Sequence, residues 1–495
     1  MAEPHDFGIE LADGGSATTH LHTALLAAVE AHPDVFADAG LPTDASVFKS
    51  TYADALPAFE AARADSAQRA DIARTIVDAA RAAIVMNPAG VPLADAVADD
   101  SAPLDLDTWS PGGTGRLVPA VPFGDRILTG DELVAEIDEM VARGSASAPV
   151  GHAIRWIVDH AMSPAPGSAG TSMFPQTRAG GTSGIDLRGR RIVVLGAGAE
   201  LAPTRLWLAG GADVLWIDLD EPPADLRTDE HLAGSLHWVP GGVDLLVDPH
   251  KVRATVEAFA ADAPVDVGLY AYAPGRAREW RLAAAMNAIV DALPRRIVRS
   301  VAMLVSPTTC GVLTSDDLAI EAARLADRPR WQRGASAVRA LGRTGGHATC
   351  GSTSANRGVV SIQGGSYQAA QYVAKLLTAE VWATDPEPIA VSANTAGISL
   401  TESLQHPVFD LAFAGAGAFG VETFDPSTTA ALNGLLTLHD RLDPAMAHRG
   451  VDELFTTRVH GGIYVTPYPI DPALRLAAGI GVLKDPRRIA ALVKR

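Results

Sequence analysis

The run Arg191-Ile-Val-Val-Leu-Gly-Ala-Gly-Ala-Glu-Leu-Ala-Pro203, continued by Thr204-Arg-Leu-Trp-Leu-Ala-Gly-Gly-Ala-Asp-Val-Leu-Trp-Ile-Asp218, is ordered like a nucleotide-binding βαβ unit. A β-branched apolar run leads into Gly196 and Gly198, then a helix-compatible segment, then a second apolar run closed by an acid. Glycines at such a turn let backbone N–H groups approach a pyrophosphate, and a helix N-terminus adds partial positive charge. An acid about 20 residues further on can take ribose hydroxyls, which is the place of Asp218. Leu201 stands where the third glycine of a G-x-G-x-x-G would be. The competing reading is a tight strand-to-helix turn that holds no ligand.

Composition sets the bounds around this unit. The chain has 495 residues, more than one ordinary core accommodates, so two or three domains are expected. With 47% hydrophobic and 20% charged residues it is globular rather than disordered. Its 40 basic and 58 acidic side chains give a formal charge of −18, which argues against nucleic acid or an anionic membrane as a partner. Cys310 and Cys350 do not make a disulfide framework. Residues 1–30 have no basic stretch ahead of an apolar core, and no apolar run reaches the roughly 20 residues of a membrane helix. The expectation is a cytoplasmic chain acting on a small molecule.

Taken in order, residues 1–180 are expected to form a mostly helical N-terminal region. Helical spacing of Ala and Leu runs through 20–84, with further helices near 130–143, where Thr129 is placed as the N-cap, and 150–162. A Pro, Gly and Asp-rich stretch at 88–125 reads as irregular, and Ser163-Pro-Ala-Pro-Gly-Ser-Ala-Gly with Ala179-Gly-Gly-Thr-Ser-Gly reads as a linker, putting the boundary near Gly180. From 181 to 405 strand-like runs near 191–195, 213–217, 235–239, 243–247, 265–272, 296–306 and 388–392 alternate with helices at 249–261, 276–293 and 367–382. That alternation predicts an α/β fold, a doubly wound, Rossmann-like parallel sheet with right-handed crossovers. An insertion at about 308–357, holding a helix at 316–326 and a Gly, Ser and Thr-rich run, is expected to cover a ligand crevice. Regularity returns at Gly358-Val-Val-Ser-Ile, and 406–495 reads as a helical C-terminal extension with helices at 427–442 and 472–495.

Four segments together resemble the short-chain dehydrogenase/reductase superfamily over residues 185–405: the first βαβ unit; Val265-Asp-Val-Gly-Leu-Tyr-Ala-Tyr-Ala273 with Asn287 in the helix after it; Ser366-Tyr-Gln-Ala-Ala-Gln-Tyr-Val-Ala-Lys375; and Val391-Ser-Ala-Asn-Thr-Ala-Gly-Ile-Ser-Leu-Thr401. The resemblance implies an NAD(P)-dependent oxidoreductase acting on a carbonyl, an alcohol or an activated double bond, an acyl thioester among the candidates. It implies a homo-oligomer as well. Carried over by position, Gly196, Gly198, Leu201, Asp218, Ala271 and Thr401 would border an NAD or NADP cofactor. NAD is favoured because a carboxylate at Asp218 repels a 2′-phosphate. Asn287 would hold a water of the proton relay.

The catalytic tyrosine of that family works with a lysine four residues on, whose charge lowers the phenol pKa. Here that position is Gln371, and the first turn carries Glu200 and Ala202 where later glycines belong. Three readings stay open. Tyr367 acts as a hydrogen-bond donor without a lysine, Tyr372 and Lys375 form a shifted dyad, or the helix is merely amphipathic with Lys375 solvated. Ser306 is the partner hydroxyl, with Ser361 second. A catalytically reduced domain that binds a nucleotide or a partner is the alternative function. No His or Cys cluster has metal-ligand spacing, and no metal is expected. His347 and Cys350 are a weak nucleophilic pair, and Arg328, Arg330, Arg333, Arg339 and Arg343 form the one basic cluster.

Overall fold

The computed structural model describes residues 8–484 apart from 114, 163–183, 262, 396 and 405–406. The expected linker and its boundary at Gly180 lie outside the described residues, as does the end of the expected 472–495 helix. Seven strands form the main sheet: β1 Asp107–Trp109, β2 Arg191–Leu195, β3 Asp213–Ile217, β4 Leu236–Trp238, β5 Val265–Leu269, β6 Val298–Val305 and β7 Ala390–Thr395. Their order across the sheet is β7-β6-β5-β2-β3-β4-β1. Every pairing is parallel except β1 against β4. The six parallel strands therefore have the 3-2-1-4-5-6 order of a doubly wound Rossmann-like sheet, with an antiparallel edge added from the N-terminal region.

Strands β2 and β3 are nearly continuous apolar runs because helices cover both faces, while β5 and β7 bury the polar side chains of Asp266, Ser392 and Asn394. Alternate residues serve two cores. Val193, Leu195, Leu215, Ile217, Val265 and Val267 face one; Ile192, Val194, Val214, Trp216 and Trp238 face the other. On the first face lie α1 Ala17–Ala31, α2 Ala45–Asp65, α3 Arg69–Ala82, α7 Pro249–Ala260, α8 Arg278–Ala292 and α10 Gly364–Leu376. The second face is covered by α4 Gly130–Ala142, α5 Ala148–Met162, the six-residue α6 Thr204–Ala209 and α12 Pro426–Leu442. The N-terminal region thus divides between the two layers and shares their cores.

That region is also less purely helical than its composition suggests. Gly8–Leu11, Ile84–Asn87 and Val91–Pro92 form a small antiparallel sheet, and Ala120–Phe123 pairs with Arg126–Thr129. Asp44 starts α2 by accepting from Ser46 N at 2.9 Å and Val47 N at 3.0 Å. Thr129 does occupy the N-cap of α4, but its side chain makes no capping bond.

Within the Rossmann-like part, the strand expected at 243–247 fails for a local reason. At 243–247 the Asp244 carboxylate accepts from Leu246 N at 2.8 Å and its carbonyl from Val247 N, which closes a turn. At 358–362 the chain buries Val359 and Val360 and enters a short 3₁₀ turn at Ser361–Gln363. The insertion holds α9 Ser315–Ala326, which opens with a Thr314–Asp317 capping box, then Arg330–Ala337 and a hairpin of His347–Cys350 with Thr353–Asn356. It packs on α2, where Asp65 accepts from Thr353 Oγ1 at 2.9 Å. The C-terminal extension adds α11 Pro407–Ala416, α12 and α13 Ile470–Lys484. No described helix is long and apolar enough to cross a membrane.

Candidate functional site

Where β2 and β5 lie side by side, the chain leaves the sheet in opposite directions, and a crevice opens beyond the C-terminal strand ends. The two backbones nearly touch there. Gly196 has a φ of 85°, and a Cβ on it would lie 2.1 Å from the Ala271 nitrogen. Gly196 serves this close approach and does not line the crevice itself.

The cleft encloses about 510 Å³. It gathers Gly198, Leu201, Ala271, Asn287, Ser306, Tyr367 and Thr401 from six separate parts of the chain, so most of the residues singled out in the sequence meet in one place. Thr308, Gln363, Gln371, Glu279 and Glu402 join them. From the insertion only Thr308 reaches the cleft; the expected cover comes instead from residues 397–404.

A chain of neutral hydrogen bonds organises the floor. Thr308 Oγ1 donates to Gln363 Oε1 at 2.6 Å and lies 2.8 Å from Ser306 Oγ. A hydroxyl has one proton, so Ser306 donates to Thr308 and keeps its own lone pairs for other donors. Thr308 N takes one of them at 3.2 Å. The Tyr367 phenol reaches both hydroxyls: burial pushes its pKa above the ordinary value, and Ser306 and Thr308 oppose that rise. Tyr367 therefore stays protonated near neutrality and acts as a donor. Gln371 Oε1 accepts from Ser306 N at 2.9 Å. A lysine has no acceptor and could not make that bond.

Lys375 and Tyr372 are elsewhere. They sit roughly a third of the way round α10 from the stripe of Tyr367, Ala370, Gln371 and Ala374 that lines the cleft, and both are buried against α2. Lys375 Nζ donates to Glu60 Oε1 at 2.8 Å and to the Cys310 carbonyl at 2.6 Å; Tyr372 donates to Glu60 Oε2 at 2.7 Å. Arg63 holds the same carboxylate at 2.8 Å and Glu380 at 3.1 Å. Burial and the Glu60 charge raise the Tyr372 phenol well above its ordinary value, which removes it as a base. Neither the shifted dyad nor a solvated lysine is what the fold contains.

The first turn is equally altered. Asp218 Oδ2 accepts from Gly198 N at 2.8 Å and Oδ1 from Leu219 N at 2.7 Å, so the carboxylate takes the N–H that a pyrophosphate would use. Helix α6 begins only at Thr204, the sixth residue after Gly198, and its N-terminus is tied back by Thr204 Oγ1 to the Ala197 carbonyl at 3.1 Å. Glu200 accepts from Glu402 N at 3.0 Å at the mouth. The lining includes Glu200, Glu279 and Glu402 and, among the described residues, no Lys, Arg or His. A doubly charged pyrophosphate finds neither helix dipole nor cation there and meets carboxylates instead. The residues present do not fit NAD or NADP.

The remaining candidates fall outside the cleft. Ser361 bonds Asp471 at 2.6 Å. His347 bonds Glu321 at 2.8 Å, away from Cys350. Arg330, Arg333, Arg339 and Arg343 are exposed on the insertion.

No protein-family model and no curated protein matches this chain. Among solved structures it is similar to a short-chain dehydrogenase/reductase, described as a glucose/ribitol dehydrogenase, from Brucella melitensis. The TM-score is 0.34 and the identity 17%, over 57% of this chain and 98% of that one.

Proposed function

We propose that the Rossmann-like crevice is a binding site for an uncharged or cationic small molecule and that the domain is a dehydrogenase-like module without dinucleotide chemistry. The observation that carries this is the Asp218 carboxylate on Gly198 N–H, beside a lining that has three glutamates and, among the described residues, no Lys, Arg or His. The floor offers a phenol donor at Tyr367, the hydroxyls of Ser306 and Thr308 and the amides of Gln363, Gln371 and Asn287. That set suits hydroxyl, carbonyl or amine groups.

A second reading, an oxidoreductase on carbonyl or alcohol substrates, is favoured by the meeting of Tyr367, Ser306 and Asn287 in one cleft. It would require an anionic cofactor to be seated against carboxylates.

Calorimetric titration with ADP-ribose separates the two, because that molecule carries the pyrophosphate without the nicotinamide. The wild-type protein is expected to show no saturable heat up to about 1 mM. Asp218→Asn combined with Glu200→Gln should gain affinity. Micromolar binding by the wild type would overturn the proposal.

A further inference from the structure

Helices α5 and α12 pack side by side on the second face of the sheet and bring together His152, His439 and Asp443. One potential ligand atom from each residue lies within 4.8 Å of the others. From this geometry we infer a divalent metal site of the zinc type, with His152, His439 Nε2 and Asp443 Oδ2 as protein ligands and a fourth position open to water.

The central histidine is built for that role. His439 is 3% exposed, and its Nε2 has no hydrogen-bond partner. Yet Asp443 Oδ2 lies only 3.4 Å away, off the direction in which a ring N–H would point. Two atoms bound to one tetrahedral zinc at about 2.0–2.1 Å are separated by about 3.3–3.4 Å, so this pair already stands at the edge length of such a site. His439 and Asp443 are one helical turn apart and share a face. The other Asp443 oxygen is occupied by Ala445 N at 3.0 Å, leaving Oδ2 for an ion. His152 approaches from α5 and is exposed, so the site opens on solvent.

Behind the cluster stands a carboxylate that fixes the ring. His439 Nδ1 is 3.4 Å from Asp440 Oδ1. Asp440 is itself held by Ser392 Oγ at 2.7 Å and Arg449 at 3.1 Å. A carboxylate on the far ring nitrogen selects the tautomer whose Nε2 lone pair faces the metal and fixes the ring's orientation. Asp440 is thus a positioning residue, and the ion would join α5, α12 and, through Ser392, strand β7. Two histidines and one carboxylate suit borderline first-row ions rather than Ca²⁺ or Mg²⁺.

The test uses the full chain, stripped with a chelator and titrated with Zn²⁺ in a calorimeter and with Co²⁺ by visible absorption. One equivalent of Zn²⁺ should bind, and Co²⁺ should develop the intense d–d bands of a four-coordinate ion. His152→Ala changes an exposed side chain, so the variant should remain folded, and it should weaken Zn²⁺ binding at least about tenfold; Asp440→Asn should cost about 10- to 100-fold. Asp443→Asn should abolish the Co²⁺ bands. His160→Ala, which alters a neighbour stacked on Trp156 outside the ligand set, should leave affinity unchanged. Failure of the wild type to bind Zn²⁺ would overturn the assignment. So would an affinity that His152→Ala and Asp443→Asn leave intact.

Discussion

Helix α10 shows two surfaces that differ in kind. Toward the cleft it presents Tyr367, Ala370, Gln371 and Ala374, a neutral face whose polar groups bond to neutral partners. Toward α2 it presents Tyr372 and Lys375, locked into a buried network with Glu60, Arg63 and Glu380. A lysine on this helix would be read from sequence as the partner of a catalytic tyrosine. Here its charge is spent on joining the N-terminal region to the sheet. What the comparison teaches is that a charge has chemistry only where it faces a ligand, and eight residues along a helix decide which side that is.

The charged face should be the more fragile. Glu60→Gln leaves Lys375 and Arg63 buried without their main counter-charge, and denaturant unfolding is expected to show a loss of about 3–5 kcal/mol. An unchanged midpoint would mean that the network does not hold α2 against α10. The same residue should shape the acid limb of stability. Burial alone would raise the Glu60 pKa, but Arg63 and Lys375 hold it well below the ordinary range. Its contribution is therefore complete above the unfolded value of about 4.3 and is lost as pH falls through the lower folded value. Between those two pH values the wild type should lose stability more steeply than Glu60→Gln.

On the neutral face the effects are smaller. Gln371→Leu orphans the Ser306 N–H, for an expected cost of about 1–3 kcal/mol. Tyr367→Phe removes one hydroxyl from a solvent-connected cleft and should cost about 1 kcal/mol or less. A larger loss for Tyr367→Phe than for Glu60→Gln would reverse the ranking of the two faces.

Much of the scaffold was legible because apolar β-branched runs and 3.6-residue periodicity report burial directly. Strands β2, β3, β5 and β6 and helices α7, α8 and α12 fall within a few residues of their expected places. The cleft was legible in part, since the family resemblance, carried over by position, named Tyr367, Ser306, Asn287 and Thr401, which line it together. What stayed hidden depends on partners distant in sequence. Glu60, which captures Lys375, lies in α2, more than 300 residues earlier in the chain. His152 and His439 come from helices on either side of the Rossmann-like part, so no local spacing announces them. The edge strand β1 sits in a stretch rich in Pro, Gly and Asp that reads as irregular. The role of Asp218 turned on a backbone detail: the same strand-end acid that can hold a ribose can also close on the Gly198 amide, and residue type does not tell the two apart.

The central claim is that this crevice keeps the Rossmann-like scaffold but not the seat for a dinucleotide. Fluorescence titration of the full-length wild-type protein with NADH and NADPH tests it most directly. The structure predicts no saturable change for either up to about 1 mM, since the pyrophosphate would face Asp218, Glu200 and Glu402 with no Lys, Arg or His among the described residues of the lining. Saturation by either dinucleotide in the micromolar range would contradict it.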